Sequence, residues 1–284
     1  MLSDKSTVCP VNLLNIAHQK RGVNAAIVNA GKKLPMMSVM DAVSEKLITP
    51  ILIGDKQKIN ECAEELKFDI SDYEIIHEPI ENNTASIATK LASEDKVKII
   101  VKGHIHTDVL MKEVLKREYK LIGKTRLSHI WHMTLQKDDR PLIITDGALN
   151  VSPNLKTKMN ILRNVIDFSH RINISRPKIS ILSATEEVIE SVQSSVEAKE
   201  LTELAKKEKN MNIIERQNDA AQQKFLKAKG NGSNNIIVVP QNQQSNNMGG
   251  GNNTPSTAGG NEISFVPFEP LNIGDDILLH KLNQ

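Results

Sequence analysis

Aromatic side chains are scarce: five Phe, two Tyr and one Trp make up only 3% of the 284 residues, so a core has to be assembled from Ile, Leu, Val, Ala and Met. That supply suits buried parallel strands better than a β-sandwich. Cysteine is nearly absent. Cys9 and Cys62 are the whole complement, which excludes a disulfide scaffold and predicts reduced thiols in a cytoplasmic setting. Charge of one sign is missing too. Thirty-six basic against 34 acidic residues leave +2, too balanced to argue for nucleic acid or an anionic membrane as partner. No apolar run approaches the roughly 20 residues a membrane span needs, and the opening "MLSDKSTVCPVNLLNIAHQK" lacks the apolar stretch of a signal peptide, so the expectation is a soluble protein without membrane contact. Length allows one large domain or two ordinary ones.

What is present is alternation. Apolar runs that read as strands, "VNAAIV", "PILIG", "YEIIHE", "VKIIVKG", "SHIWHMTL", "PLIITDG" and "KISILSA", are mostly separated by stretches of helical period such as "LPMMSVMDAVSEKL", "DKQKINECAEELK", "NTASIATKLASED" and "TDVLMKEVLKREY". Asp55 and Thr107 stand where a helix N-cap belongs. Strand and helix in turn predict an α/β fold with right-handed crossovers and a mainly parallel sheet covered by helices on both faces. Ligands of such sheets bind beyond the carboxyl ends of the strands. Two polar turns fall there, "KGHIHTD" and "TDGALN".

Each turn carries groups suited to anions. In the first, Gly103 lets the backbone turn closely, Thr107 opens a helix whose unpaired amides favour an anion, and Lys102 and His106 add donors. An ordinary capped strand-to-helix connection fits the same residues. "IGKTRLSHIWHM" gathers Lys124, Arg126, Ser128 and His129, and a guanidinium can fork onto phosphate where an ammonium acts as a point charge; a solvated basic turn is the plain alternative. The second turn ends in Asp146, Gly147 and Asn150, ahead of a helix beginning near Pro153 or Asn154. Its carboxylate can orient a partner or act as a base, and Asn150 offers donor and acceptor; Asp-Gly is equally a common loop pair. "KISILSATEE" places Ser183, Thr185 and Glu186 at another strand end, where an N-cap with acidic first-turn residues explains the pattern without function. His104, His106, His129 and His132 have no Cys or carboxylate companions at ligand spacing, so no metal site is expected.

In order along the chain, "RGVNAAIVNA", "LITPILIGD", "VKGHIHTDVLMKEVL", "TRLSHIWHM", "PLIITDGALNVSPNLKTKMNILRNVIDFSH" and "PKISILSATEEV" resemble the phosphate acetyltransferase and phosphate butyryltransferase family, over about residues 13–205. The resemblance implies an isocitrate/isopropylmalate dehydrogenase-like fold of two α/β domains, commonly a dimer. It implies transfer of an acyl group between coenzyme A and phosphate, with acyl-CoA as a substrate and no permanently bound cofactor. Residue by residue, it points to Arg126, Asp146 and Asn150 as catalytic, and to Gly103, His106, Thr107, Ser128 and Ser183 as contacts to phosphate or coenzyme A.

Beyond about Lys207 the resemblance stops, and the family's later serine-arginine strand exit and aspartate find no counterpart, so the second domain reads as incomplete. The expected organisation is an α/β region over 1–207, a helix over 208–230, an Asn/Gln/Gly-rich disordered linker over 231–262 with a short strand at "IIVVP", and an apolar-acidic terminal segment over 263–284. That terminal segment reads as either a docking peptide for a protein partner or a small packed strand. A non-catalytic binding or assembly protein, or a chimera, remains the alternative function.

Overall fold

The computed structural model describes residues 9–123, 125–134, 141–147, 149–185, 187–208, 236–239 and 278–280. The helix expected over 208–230 lies almost wholly outside the described residues. So does the 231–284 segment, except 236–239 and 278–280. The chain divides into two compact units.

One unit holds residues 15–123 together with the strand at 278–280. Its sheet runs in the order β3 (Glu74–His77), β2 (Ile48–Gly54), β1 (Val23–Val28), β4 (Ile99–Lys102), β9 (Leu278–His280). The first four strands are parallel and β9 is antiparallel to β4. Within the terminal segment, Leu278–His280 forms a strand. β1 sits centrally, and Ala25, Ala26, Ile27 and Val28 are all fully buried, which is why it reads as an unbroken apolar run rather than an alternating one.

Helices cover both faces. Ala25, Ile27, Leu52, Ile99 and Val101 form one apolar surface against α2 (Lys33–Ser44) and α3 (Lys56–Leu66), which contribute Met36, Val39, Ile59, Cys62 and Ala63. α4 (Glu81–Ser93) buries Ala85, Ala88 and Ala92 and lies against β1, β2 and β4, its short side chains permitting close approach. α5 (Thr107–Val114) packs on α4 through buried Leu110, Met111 and Val114. Asp55 caps α3 as expected, accepting from the Gln57 amide at 3.0 Å. At α5 the cap is His106, with extended backbone, and Thr107 is the first helical residue; the expected N-cap is displaced by one position.

The other unit contains β5 (Ile130–Thr134), β6 (Pro141–Thr145), β7 (Lys178–Ile181) and β8 (Ile236–Val239) in the order β5-β6-β8-β7. β6, β8 and β7 are parallel, whereas β5 and β6 form an antiparallel pair. No helix-like stretch separates those two strands in sequence, so no crossover is available to make them parallel. The strand expected at "IIVVP" is present as β8. Two helices that the strand–helix list omitted, α1 (Val11–His18) and α7 (Gln193–Lys207), are also formed.

α6 (Leu155–Arg171) is capped by Asn154, whose side chain accepts from the Thr157 amide at 3.0 Å. It buries Met159, Ile161, Leu162, Val165 and Ile166, a 3–4 residue recurrence that turns one face to Ile143 of β6, Ile179 of β7 and Leu201 of α7. A buried Lys158–Glu197 ion pair ties α6 to α7. Burial pushes the Glu197 carboxyl upward, but hydrogen bonds from Lys158 and Gln193 outweigh it and hold the group below its usual range. After β7 the chain does not enter a helix at once: α7 starts at Gln193, so Ser183, Ala184 and Thr185 stand outside a helix and are not the capped helix start suggested by "SATEE". The α/β class and mainly parallel strands thus hold, with the strands shared between two sheets. Consequently the two polar turns, after β4 and after β6, open from different sheets. Among the described residues no helix is long and apolar enough to cross a membrane.

Candidate functional site

The turn after β4 is built around a backbone approach. The Gly103 amide donates to the Val28 carbonyl at 2.9 Å, and a Cβ placed on Gly103 would lie 2.3 Å from that same oxygen. Asn29, in the left-handed region at φ 50°, donates its amide to the His104 carbonyl and closes the turn. Lys102 is 3% exposed and its ammonium bends back onto the Ile105 carbonyl at 2.9 Å, so it braces the turn. His106 and Thr107 are exposed at the start of α5, where the Glu81 carboxylate accepts from the His106 amide at 3.3 Å. That carboxylate seats a negative charge at the positive end of α5. Glu81 was not among the sequence candidates, because it lies 25 residues away on α4.

The second turn is more tightly organised. Asp146 follows β6 directly and is 4% exposed. One carboxylate oxygen accepts from the His129 amide at 2.7 Å and the Leu149 amide at 3.4 Å; the other accepts from the Asn150 amide at 2.8 Å and from the Asn150 side chain. Asn150 also donates to the Leu127 carbonyl at 2.9 Å, and Thr145 donates to the His129 carbonyl at 2.8 Å. Asp146 and Asn150 therefore stitch the 127–129 segment to the 146–150 turn. Burial pushes the His129 imidazole below its ordinary value while the Asp146 charge acts upward. Its ring centroid lies 4.8 Å from that of Trp131, and a Cβ on Gly147 would meet the Trp131 Nε1 at 3.1 Å.

Arg126 and Ser128 sit on the segment so held. Arg126 is exposed, and its guanidinium makes no hydrogen bond or ion pair among the described residues; Lys124, the other basic candidate, lies outside them. A residue the sequence reading passed over completes the arrangement. Asn164, on α6, donates its side-chain amide to the Arg126 carbonyl at 2.8 Å and to Ser128 Oγ at 2.9 Å. Only its place on the flank of an amphipathic helix was visible in sequence, and nothing local tied it to residues 36 and 38 positions earlier.

Arg126, Ser128, Asp146 and Asn150 are thus brought together. Ser183 shares their unit, at the carboxyl end of β7, with β8 lying between β7 and β6. Its hydroxyl is within 3.3 Å of Ser194 Oγ and accepts from the Thr185 amide at 3.4 Å. Gly103, His106 and Thr107 belong to the other unit. The four histidines divide likewise, His104 and His106 in one unit and His129 and His132 in the other. Among the described residues no three His, Cys, Asp or Glu side chains converge on a metal-sized site.

With this geometry in place, likeness to known proteins can be weighed. The family described as phosphate acetyl/butaryl transferase matches residues 72–250. The chain belongs to that family. Phosphate acetyltransferase of Rickettsia typhi is 32% identical over 205 residues, which is 72% of this chain and 59% of that protein. Phosphate butyryltransferase of Clostridium acetobutylicum is 32% identical over 181 residues, 63% of this chain and 60% of that protein. The chain therefore spans about six-tenths of the length of the curated relatives it matches. A branched-chain phosphotransacylase from Enterococcus faecalis V583 superposes with a TM-score of 0.61 at 24% identity, covering 77% of this chain and 79% of that one, which establishes a shared fold.

Removing the Asp146 carboxylate tests whether it is the organising group. Asp146→Ala leaves the His129 and Asn150 amides without their acceptor, at about 1–3 kcal/mol for each buried donor, so the unit should lose about 2–6 kcal/mol of stability in denaturant melts. A melt that superposes on the unmodified chain would show that the turn holds itself.

Proposed function

We propose that this chain transfers an acetyl or butyryl group between coenzyme A and inorganic phosphate. A phosphate oxygen attacks the thioester carbonyl, the carbon–sulfur bond breaks, the leaving thiolate takes up a proton, and acyl phosphate and free thiol result. The observation that carries this reading is the Arg126–Ser128 segment: an exposed guanidinium without a partner among the described residues, on a turn pinned by the buried Asp146 carboxylate. The Arg126 fork and the Ser128 hydroxyl hold phosphate oxygens and oppose the charge that develops on the thioester oxygen. Asp146 and Asn150 keep those donors in place, so that little reorganisation is needed when charge appears. Ser183 lines the edge of the same sheet. Gly103, His106 and Thr107 belong to a second polar turn, where the Glu81 carboxylate already takes the His106 amide at the α5 terminus, so the phosphate is assigned to the Arg126–Ser128 segment.

In this reading coenzyme A is a substrate and not a resident group, and the protein works in the cytoplasm as a homodimer. The names of the relatives support the acetyl and butyryl choice.

The test is thiol release from acetyl-CoA or butyryl-CoA by the full 284-residue chain, followed with a thiol-reactive dye in phosphate and in chloride of equal ionic strength. Release should depend on phosphate and saturate with it. Equal rates in both salts, or none in either, would remove the proposal.

A further inference from the structure

The Asn164 side-chain amide is engaged by the 126–128 turn described above, and the family reading gives it no part. Both contacts come from its Nδ2. The Arg126 carbonyl can only accept, so the nitrogen end of the amide must face it. An amide NH2 has no lone pair to offer, and its second hydrogen therefore goes to Ser128 Oγ as acceptor. With that oxygen accepting from Asn164, the hydroxyl hydrogen of Ser128 is directed elsewhere, and no acceptor for it stands among the described residues. The same amide fixes the main chain of Arg126. The support is rigid, since Asn164 is flanked on α6 by the buried Ile161, Leu162 and Val165.

We infer that Asn164 is a positioning residue: it sets the Ser128 hydroxyl as a hydrogen-bond donor and anchors the Arg126 main chain, so that this turn presents two aligned donors to orthophosphate. The inference rests on the phosphate assignment proposed above. It goes further by naming the side chain, in the middle of a helix and remote in sequence, that gives the hydroxyl its polarity. Asn164→Ala frees the hydroxyl to rotate and loosens the turn. Asn164→Asp keeps the shape but supplies a carboxylate that takes the Ser128 hydrogen for itself and faces the Arg126 carbonyl without a donor.

Orthophosphate binding to the full chain, measured by titration calorimetry, tests this without requiring turnover. Asn164→Ala and Ser128→Ala should each weaken binding about tenfold, as expected for one lost hydrogen bond to a charged acceptor. In the Asn164→Ala background, adding Ser128→Ala should cost less than about twofold more, because the hydroxyl is already disoriented. Asn164→Asp should bind at least as weakly as Asn164→Ala, and it retains a test should the alanine variant not fold. Unchanged binding in either Asn164 variant, independent losses multiplying to about 100-fold in the double variant, or no phosphate binding by the unmodified chain would overturn the inference. Thiol release measured on the same samples separates the two claims. Non-additive phosphate binding without acyl transfer removes the proposed reaction and keeps Asn164 in its role; acyl transfer with phosphate affinity indifferent to Asn164 does the reverse.

Discussion

Gly103→Ala is expected to lower the stability of its unit by about 3 kcal/mol or more, the upper range for forcing atoms into a packed interior. The added carbon would sit 2.3 Å from the Val28 carbonyl oxygen and 2.9 Å from that of Asn29, contacts between main chain and main chain that no side-chain rotation relieves. β1 and β4 are paired along Ala25–Val28 and Ile99–Lys102, so parting them at Gly103 strains the centre of the sheet. The thermal transition of this unit should fall by about 10–20 °C. An unchanged melting profile would mean that the turn is far more yielding than its hydrogen bonds suggest.

Arg126→Ala should act in the opposite way, on activity and not on stability. The guanidinium is exposed and makes no contact among the described residues, so its loss should shift the melting temperature by no more than about 1–2 °C. Phosphate-dependent thiol release, by contrast, should fall by about 100-fold or more, the scale of losing a donor aimed at developing oxyanion charge. Arg126→Lys should recover only part of the rate, since an ammonium keeps the charge but not the two parallel donors. A rate that survives the alanine substitution would move phosphate to other residues. A destabilised Arg126→Ala protein would show that the side chain holds the turn together instead.

Local order was legible in the sequence where one segment determines it. The strand-length apolar runs at "VNAAIV" and "VKIIVKG", and the helical period of "DKQKINECAEELK" with Asp55 as its cap, reappear as β1, β4 and α3 because period, length and cap agree there. Asp146 and Asn150 stand four residues apart, and the Asx-type turn linking them is a local event that spacing can suggest. What depends on chain reversal was not legible. The antiparallel β5–β6 pairing requires knowing that no crossover intervenes, and the division of strands between two sheets assigns the β4 and β6 turns to different sheets. At "SATEE", Ser183 and Thr185 stand outside a helix, and α7 begins only at Gln193, where Ser195 Oγ donates to the Ile189 carbonyl at 3.0 Å ahead of the helix start. Thr107 was displaced from the cap by one residue because His106 already has the extended backbone a cap requires. Asn164 and Glu81 were missed for a common reason: each meets its turn only after the chain has folded back across 25 residues or more.

Phosphorus-31 resonance of a mixture of the full chain, orthophosphate and acetyl-CoA or butyryl-CoA tests the central claim most directly, because it sees the product bond itself. The account predicts a new acyl phosphate signal that grows with the protein, equals the free thiol formed and is lost in Arg126→Ala. Thiol without acyl phosphate, which would be hydrolysis, or an orthophosphate signal that never changes, would contradict it.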